Sequence, residues 1–284
     1  MEKKSGKILL ICNYKRSGVR EISEEISSYL AVHGYETETM SNCQLDYFTV
    51  ETKYALFIVL GGDGMVLSTA RKVASEGVPI LAINFGTIGF MMEVEKEDWK
   101  KAVDSFIDGT YTCQKHMMLD VSVIRNGKVM EKSTVLNEGV INCPDCKLLK
   151  LSVTLGKDVL GYYKADGLIV ATSTGSTAYS SSAGGPIVSP DLETVVLTPI
   201  CPYSYIVRPV VVSPKNRIAV TVESRSNARI LLVLDGQKKI LLSGDETIVF
   251  EKSSRHVYII TVPGSDDLFY SKLRARMCLQ GAEE

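Results

Sequence analysis

Several absences narrow the functions open to this sequence. No run of apolar residues approaches the roughly 18 that a membrane-spanning helix needs. The run from Ile8 to Cys12 is too short for the core of a signal peptide, so we expect a cytoplasmic protein. A charge excess is lacking too, because 32 basic residues stand against 33 acidic ones, for a net charge of -1. A general surface for nucleic acids or anionic membranes is therefore not expected.

Thiols and imidazoles are too scattered for a disulfide framework or a structural zinc site. The seven cysteines include one C-x-x-C pair, Cys143 and Cys146, and the three histidines lie far apart in the sequence. A structural zinc site needs a second such pair or two suitably spaced histidines. An odd number of cysteines without a secretion signal is typical of reduced thiols. We therefore interpret Cys143 and Cys146 as free thiols in a loop.

The first 110 residues alternate between strand-like and helix-like patterns. The apolar runs "KILLIC", "ALFIVL" and "ILAINF" have the length and composition of strands buried on both faces of a parallel sheet. Between and after these runs, apolar positions recur with helical spacing, and one helix is predicted from about Met65 to Glu76. Residues 1–110 therefore predict an α/β domain with a doubly wound parallel sheet.

The pattern changes to β near Tyr111. Apolar and polar residues alternate on both sides of Asn126-Gly127, which is a strong signal for a hairpin turn. Further strand-like segments follow, so residues 111–262 predict a β-rich, sandwich-like domain. The last segment, 263–284, is helix-like again, and we expect it to pack back on the first domain.

A glycine-rich turn, Gly61-Gly62-Asp63-Gly64, separates one buried strand from the next helix. Ligands of open parallel sheets bind beyond the carboxyl ends of the strands. Bare backbone N–H groups at a helix N-terminus bind phosphate. A carboxylate among them would repel a phosphate placed on it, so Asp63 is better suited to accept a hydroxyl proton or to hold magnesium. The alternative is a structural turn in which Asp63 caps the helix.

A second candidate site is dense in small hydroxyl residues. Asn137 and Glu138 lie in "LNEGV", and "TSTGSTAYSSSAGG" lies within the stretch from Lys164 to Val188. Hydroxyl groups suit ribose and phosphate oxygens, and Tyr179 adds a flat ring that could contact a base. The alternative is a flexible surface loop. A hydrolase is disfavoured because no histidine lies near enough in sequence to activate a serine.

Together these motifs resemble the bacterial NAD kinase family, which phosphorylates the 2′-hydroxyl of the adenosine ribose of NAD to give NADP. Diacylglycerol kinases and phosphofructokinases share a similar GGDG turn, but "DGLIV" followed by "TGSTAYSSSAGGP" is specific. The matches follow the family's order over most of the chain. They are GGDG from Gly61, "GTIGF" from Gly86, Asn137-Glu138, Asp166-Gly167, "TGSTAYS" from Thr174, "SAGGPI" from Ser182, Arg208-Pro209 and "LDGQ" from Leu234.

The resemblance implies a role for each matching residue. Asp63 is implied to be the general base toward the ribose hydroxyl, within a phosphate loop of Gly61, Gly62 and Gly64. Gly64 is implied to lie beside NAD, and Asn137 and Glu138 to hold the adenosine ribose. The other residues implied to lie at the NAD site are Lys164, Asp166, Thr177, Ala178, Tyr179, Ser180, Ser182 and Gln237.

Two positions depart from the family pattern. Met65 follows GGDG where the family often has threonine or asparagine, and Ser173 replaces the proline of the usual T-P-T-G-S. Losing that proline is expected to loosen the turn by roughly 0.4–1 kcal/mol through the entropy of the unfolded chain. Neither change removes a functional group from the implied site.

The implied reaction is phosphoryl transfer to NAD from ATP or polyphosphate. The sequence has no Walker lysine loop, so magnesium, bound through the donor phosphates rather than directly by the protein, and backbone donors must carry the phosphate charge. The resemblance also implies a homodimer or homotetramer. Two alternatives remain open at this point: a lipid or sugar kinase with the same GGDG turn, and a catalytically silent NADP-binding regulator.

Overall fold

The chain divides into two compact units. The computed structural model describes residues 6–50, 53–86, 89–145, 147–223, 229–262 and 268–278. Unit 1 comprises Met1–Lys115 and Val257–Glu284, and unit 2 comprises His116–His256. These boundaries differ by a few residues from the predicted 110/111 and 262/263, because a strand runs through each of them. In the described part of the chain, no helix is long and apolar enough to cross a membrane.

Strands and helices alternate through the first part of unit 1. The elements are β1 (Lys7–Cys12), α1 (Val19–Val32), β2 (Glu36–Ser41), β3 (Tyr54–Gly61), α2 (Asp63–Val73), β4 (Ile80–Asn84), β5 (Val94–Glu95) and α3 (Trp99–Asp108), with 3-10 turns at Asn42–Tyr47 and Lys96–Asp98.

Strands dominate the rest of the chain. The elements are β6 (Thr112–Arg125), β7 (Lys128–Val135), β8 (Glu138–Asn142), β9 (Leu149–Leu155), β10 (Asp158–Ala165), β11 (Gly167–Thr172), a 3-10 turn (Thr174–Thr177), α4 (Tyr179–Ser182), β12 (Val195–Ile200), β13 (Val210–Val212), β14 (Ile218–Val222), β15 (Ile230–Leu234), β16 (Lys238–Leu242), β17 (Thr247–Thr261) and α5 (Leu268–Cys278).

The parallel sheet of unit 1 places the glycine-rich turn at its carboxyl edge. Its strands run in the order β2-β1-β3-β4, and neighbouring strands are parallel. Beyond β4, the sheet continues through β5 and the last residues of β17. Because parallel strands end at one edge, the turn after β3 lies beside the segments that follow β1 and β4. The predicted α/β architecture is confirmed.

The helices of unit 1 follow the apolar spacing of the sequence. In α1 the buried positions are Val19, Ser23, Ile26 and Leu30, which lie on one helical face. In contrast to the predicted span from Met65 to Glu76, α2 covers Asp63–Val73. The earlier start follows from Gly62, which has an extended backbone (φ -141°, ψ 178°) and serves as the N-cap.

Unit 2 packs two antiparallel sheets around one core, as the alternating pattern predicts. One sheet contains β10-β9-β14-β17, with the β6–β7 hairpin joined to β17, and the other has the order β13-β12-β11-β8-β15-β16. One buried cluster combines residues of both, including Leu151 and Phe250 from the first and Val170 and Leu232 from the second. The close packing depends on Gly139, where an added Cβ would lie 2.5 Å from the Phe250 ring.

Two local predictions of the sequence have a clear outcome. Asn126 and Gly127 form the turn between β6 and β7, with φ values of 50° and 73°. These positive angles are those that a tight hairpin turn requires. Cys143 is a free, buried thiol, and Cys146 lies outside the described residues.

Candidate functional site

Backbone hydrogen bonds to neighbouring strands fix the glycine-rich turn of unit 1. Asn13 N–H, after β1, donates to the Leu60 carbonyl at 3.0 Å, and Phe85 N–H, after β4, donates to the Gly61 carbonyl at 2.8 Å. Gly64 is exposed at the surface. An added Cβ at Gly62 would meet no atom within 4 Å, so the space beside that residue is open. The turn is therefore held in a fixed position, and its backbone is accessible at the carboxyl edge of the sheet.

The Asp63 carboxylate binds two backbone amides of a segment far along the chain. Its Oδ2 accepts from Phe90 N–H at 2.9 Å, and its Oδ1 accepts from Met91 N–H at 3.1 Å. A Cβ at Gly89 would clash with this carboxylate, so a glycine is needed for the close approach. The side chain does not cap α2, because the N-cap is Gly62 and no side-chain cap hydrogen bond forms there. The capping alternative therefore does not describe this turn.

Met65, the first departure from the family pattern, packs directly beside the turn. Its side chain occupies the position that a Cβ at Gly61 would need, and it is buried. Part of the neighbouring "GTIGF" motif, Thr87 and Ile88, lies outside the described residues. Its first glycine, Gly86, donates its N–H to Asn84 Oδ1 at 2.9 Å. A thioether thus replaces the polar side chain that the family often places after GGDG.

In unit 2, the Asp235 carboxylate organises the segment that carries Asn137 and Glu138. Asp235 Oδ1 accepts from Asn137 N–H at 2.8 Å and from Glu138 N–H at 3.1 Å, and Oδ2 accepts from Leu136 N–H at 3.1 Å. Asp235 N–H in turn donates to the Glu138 carbonyl at 2.9 Å. Asp235 is buried and has a left-handed φ of 48°. We infer that it positions the predicted ribose-binding pair.

Asn137 and Glu138 present buried oxygens that lack protein partners. Asn137 Oδ1 and Glu138 Oε2 accept no hydrogen bond from the described residues. Burial, and then the nearby charge of Asp235, raise the pKa of Glu138 to about 8. Buried polar atoms in folded proteins usually have a hydrogen-bond partner, so these two oxygens are available for hydrogen bonds to a ligand hydroxyl.

The TSTGST turn packs against the same segment. Thr172 Oγ1 donates to the Leu136 carbonyl at 2.6 Å and accepts from Gly175 N–H at 3.0 Å. At Gly175, an added Cβ would clash with the backbone of Asn137. Ser173 has a φ of -56°, which proline also adopts, so replacing the family's proline keeps the backbone path. The turn therefore packs tightly against the backbone of Asn137.

Several hydroxyls of this stretch are used by the fold itself. Ser180 Oγ and Thr198 Oγ1 are 2.8 Å apart and fully buried, and Thr177 Oγ1 donates to the Thr174 carbonyl at 3.2 Å. These two hydroxyls have structural partners, which the composition of the stretch did not indicate. Ala178 is half-buried, whereas Tyr179 and Ser182 are exposed. Tyr179 and Ser182 therefore offer the accessible side chains of this stretch.

Lys164 and Asp166 lie at the other end of β11. The antiparallel register pairs Gly167 with Asn142 and Ala171 with Glu138. The strand has 6 residues, so at about 3.3 Å per residue its two ends are roughly 17 Å apart. The structure therefore does not bring Lys164 and Asp166 together with Glu138 within one chain.

Gln237, in contrast, belongs to the Glu138 end of the sheet. It follows Asp235 in the turn between β15 and β16, and its N–H donates to the Leu234 carbonyl at 2.9 Å. Its side chain is exposed. The hydrogen bonds of Asp235 thus connect the "LDGQ" motif directly to Asn137 and Glu138. The motif was visible in the sequence, but the role of its aspartate was not.

Comparisons with known proteins agree on one family. The chain matches the model of the ATP-NAD kinase N-terminal domain over residues 44–111 and that of the C-terminal domain over residues 136–262. An NAD kinase of Desulforamulus reducens is 32% identical over 278 residues, which cover 94% of this chain and 96% of that protein. An NAD kinase of Trichlorobacter lovleyi is 37% identical over 229 residues, 80% of either chain.

Solved structures give the same result. The crystal structure of an NAD kinase from Archaeoglobus fulgidus in complex with ATP matches with a TM-score of 0.75 and 25% identity, over 94% of this chain and 98% of that one. A yeast NADH kinase complexed with NADH matches with a TM-score of 0.80 and 20% identity, over 96% and 87% of the two chains. The latter likeness concerns the fold alone.

Substituting Glu138 by glutamine should stabilise the protein in a pH-dependent way. The pKa of Glu138 in the folded protein is raised to about 8 from 4.5. Wild-type stability should therefore fall by about 1.4 kcal/mol per pH unit between these values, because only the unfolded chain releases the proton readily. Glutamine cannot ionise. Urea unfolding should show the advantage of Glu138→Gln growing from pH 5 to pH 8, and an advantage equal at every pH would contradict this account.

Glu246 provides a matched control, because its pKa is shifted in the opposite direction to that of Glu138. It is buried like Glu138, but it accepts hydrogen bonds from Arg125 and from the amides of Ser243 and Gly244. Burial tends to raise the pKa of Glu246, but these hydrogen bonds outweigh it and lower the pKa. Its charged form therefore stabilises the fold above the ordinary carboxyl pKa, and the contribution is lost as pH falls through the lowered value. Glu246→Gln should accordingly be less stable than wild type at pH 8, with a smaller deficit in acid.

Proposed function

The chain belongs to the NAD kinase family, and from that membership we propose that it converts NAD to NADP by phosphorylating the 2′-hydroxyl of the adenosine ribose. The observation that carries this proposal is the pair of buried oxygens, Asn137 Oδ1 and Glu138 Oε2, that have no hydrogen-bond partner among the described residues. The hydroxyls of a ribose both donate and accept, so they can satisfy a neighbouring amide and carboxyl. Matches to both domain models of the family leave the lipid or sugar kinase without support, and NADP formation distinguishes an active enzyme from a silent NADP-binding regulator.

ATP is the phosphoryl donor that the comparisons favour. The related NAD kinase from Archaeoglobus fulgidus was crystallised with ATP. In this chain, the open space beside Gly62 and the N-terminus of α2 suit a phosphate group, because helix N-termini attract anions. Polyphosphate presents the same phosphate chemistry and is retained as an alternative donor.

Magnesium fits this site as a partner of the donor phosphates. Among the described residues, no three Asp, Glu, His or Cys side chains gather as a metal site. Magnesium usually binds through one or two carboxylates together with substrate phosphates and water, so most of its ligands would come from the donor. When bound, it would neutralise the charge of the transferred phosphoryl group. The residues of the GGDG turn would then position the donor.

We assign the general-base role to Asp63. Its two oxygens offer about four lone-pair sites, and the amides of Phe90 and Met91 occupy two of them. The remaining sites can accept the proton of a ribose hydroxyl. Because those amides hold the carboxylate in one orientation, the base would need no reorganisation when the hydroxyl arrives.

A homodimer or homotetramer would explain the separation of Lys164 and Asp166 from Glu138. A second copy could supply those residues to a neighbouring NAD site. Near the Asp166 end of β11, the segment after β12 exposes Tyr203, Tyr205 and Ile206, with 78%, 84% and 72% of their surface accessible. Exposed apolar groups of this kind suit a contact between copies. A cytoplasmic location is also proposed, since the five cysteines with described side chains carry free thiols.

Asp63→Asn should reduce turnover by about 10²–10⁴-fold, the usual worth of general-base catalysis. The new amide group would also leave one of the two bound N–H groups without an acceptor, so the melting temperature should fall. NADP formation should be measured below that temperature and per folded molecule. Turnover near the wild-type value would contradict the role of Asp63. Asp98→Asn is the matched control, because Asp98 precedes α3 without making a side-chain cap.

Glu138→Ala should weaken NAD binding at pH 7 by roughly 0.5–1.5 kcal/mol for each hydrogen bond lost, because the raised pKa of Glu138 leaves its carboxyl largely uncharged there. Calorimetric titration with NAD measures this loss directly. Glu131→Ala, at an exposed ion pair with Lys238 in the same unit, should bind NAD as wild type does. An unchanged dissociation constant in Glu138→Ala would give this residue a purely structural role.

Removing magnesium should abolish NADP formation, and adding it back should restore activity. The physical reason is that uncompensated triphosphate charge would oppose transfer. The measurement is the initial rate with excess chelator and then with magnesium replenished. Full activity in chelator would instead indicate a donor site made of backbone groups and side chains alone.

A further inference from the structure

The segment that holds Asp63 is itself held by the C-terminal helix α5. Lys272 Nζ donates to Glu93 Oε1 at 3.0 Å and to the Phe90 carbonyl oxygen at 3.3 Å. The side chains of Lys272 and Glu93 are only 10% and 7% exposed. Phe90 thus accepts a hydrogen bond from α5 through its carbonyl while donating its N–H to Asp63.

The aromatic ring of Phe90 contacts two side chains of α5. The rings of Phe90 and Phe269 have centroids 5.9 Å apart, and the Arg276 guanidinium lies 5.1 Å from the Phe90 ring centroid. Residues 269, 272 and 276 follow the spacing of one helical face. Three side chains of α5 therefore contact a single residue, and that residue binds the candidate base.

We propose that α5 fixes the position of the Asp63 carboxylate through Phe90, and that Lys272 is a positioning residue for phosphoryl transfer. This inference rests on the proposed role of Asp63. If Lys272 is lost, the carbonyl of Phe90 loses a charged donor, and the segment from Gly89 to Met91 can shift. Because the carboxylate is bound to that segment, it shifts too. Displacements of about 1 Å from a reactive geometry can reduce rates by about 100-fold.

A purely structural ion pair is the competing explanation. Removing one partner of a buried ion pair destabilises a protein, whereas replacing both partners by apolar residues of similar size often restores stability. The double variant Glu93→Leu/Lys272→Met therefore separates the two explanations. It removes the uncompensated charge but leaves the Phe90 carbonyl without its donor.

The test compares Lys272→Met, Lys272→Arg, the double variant and Arg274→Met, an exposed position on the same helix. All are assayed below their melting temperatures and per folded molecule. Lys272→Met and the double variant should lose about 10- to 100-fold in kcat, with little change in the KM for NAD. Lys272→Arg should retain most activity, and Arg274→Met should match wild type. Recovery of kcat together with stability in the double variant would overturn the proposal.

Amide hydrogen exchange provides a readout that does not depend on activity. Exchange at Phe90 and Met91 should accelerate in Lys272→Met and in the double variant, but not in Arg274→Met. Unchanged exchange at both amides would overturn the proposal even if the variants were slow. If the wild-type protein formed no NADP, the proposed function would fail, and the exchange result would still decide whether α5 holds this segment.

Discussion

The proposed chemistry of unit 1 depends on the hydrogen bonds that the Asp63 carboxylate accepts from the amides of Phe90 and Met91. A carboxylate that accepts from two backbone N–H groups forms charge-assisted hydrogen bonds and is held in one orientation. The glycine at position 89 is required because a side chain there would occupy the space of the carboxylate. The hydrogen bonds that order the segment from Gly89 to Met91 therefore also fix the orientation of the Asp63 carboxylate.

In unit 2, an aspartate carboxylate also binds backbone amides, but it orders a different segment. Asp235 binds the amides of Leu136, Asn137 and Glu138, and so orders the backbone beside two side chains whose buried oxygens have no partner among the described residues. Each aspartate thus orders a segment of backbone, but Asp63 is also the proposed reactant, whereas Asp235 is inferred to position its neighbours. The raised pKa of Glu138 follows from this arrangement, since the carboxyl lies buried close to a second acid.

Local patterns predicted the architecture because each element carries its own signal. The apolar run "KILLIC" is sufficient to predict a buried strand, and the pair Asn126-Gly127 is sufficient to predict a hairpin turn. The hydrogen bonds of the site join residues with no common pattern: Asp63 and Phe90 are 27 positions apart, Asn137 and Asp235 are 98, and Glu93 and Lys272 are 179. Composition also could not show that the Ser180 hydroxyl would form a buried hydrogen bond with Thr198. The sequence therefore predicts Asp63 and Glu138 as site residues, but it does not indicate which residues position them.

The activity proposed for this chain is phosphorylation of NAD on the adenosine ribose. Its most direct test is to incubate the purified wild-type protein with NAD, ATP and magnesium and to identify the product by mass spectrometry and NMR. The account predicts ADP and NADP in equal amounts, with the new phosphate on the 2′-oxygen. ATP hydrolysis without NADP, or a phosphate on another oxygen of the dinucleotide, would contradict it.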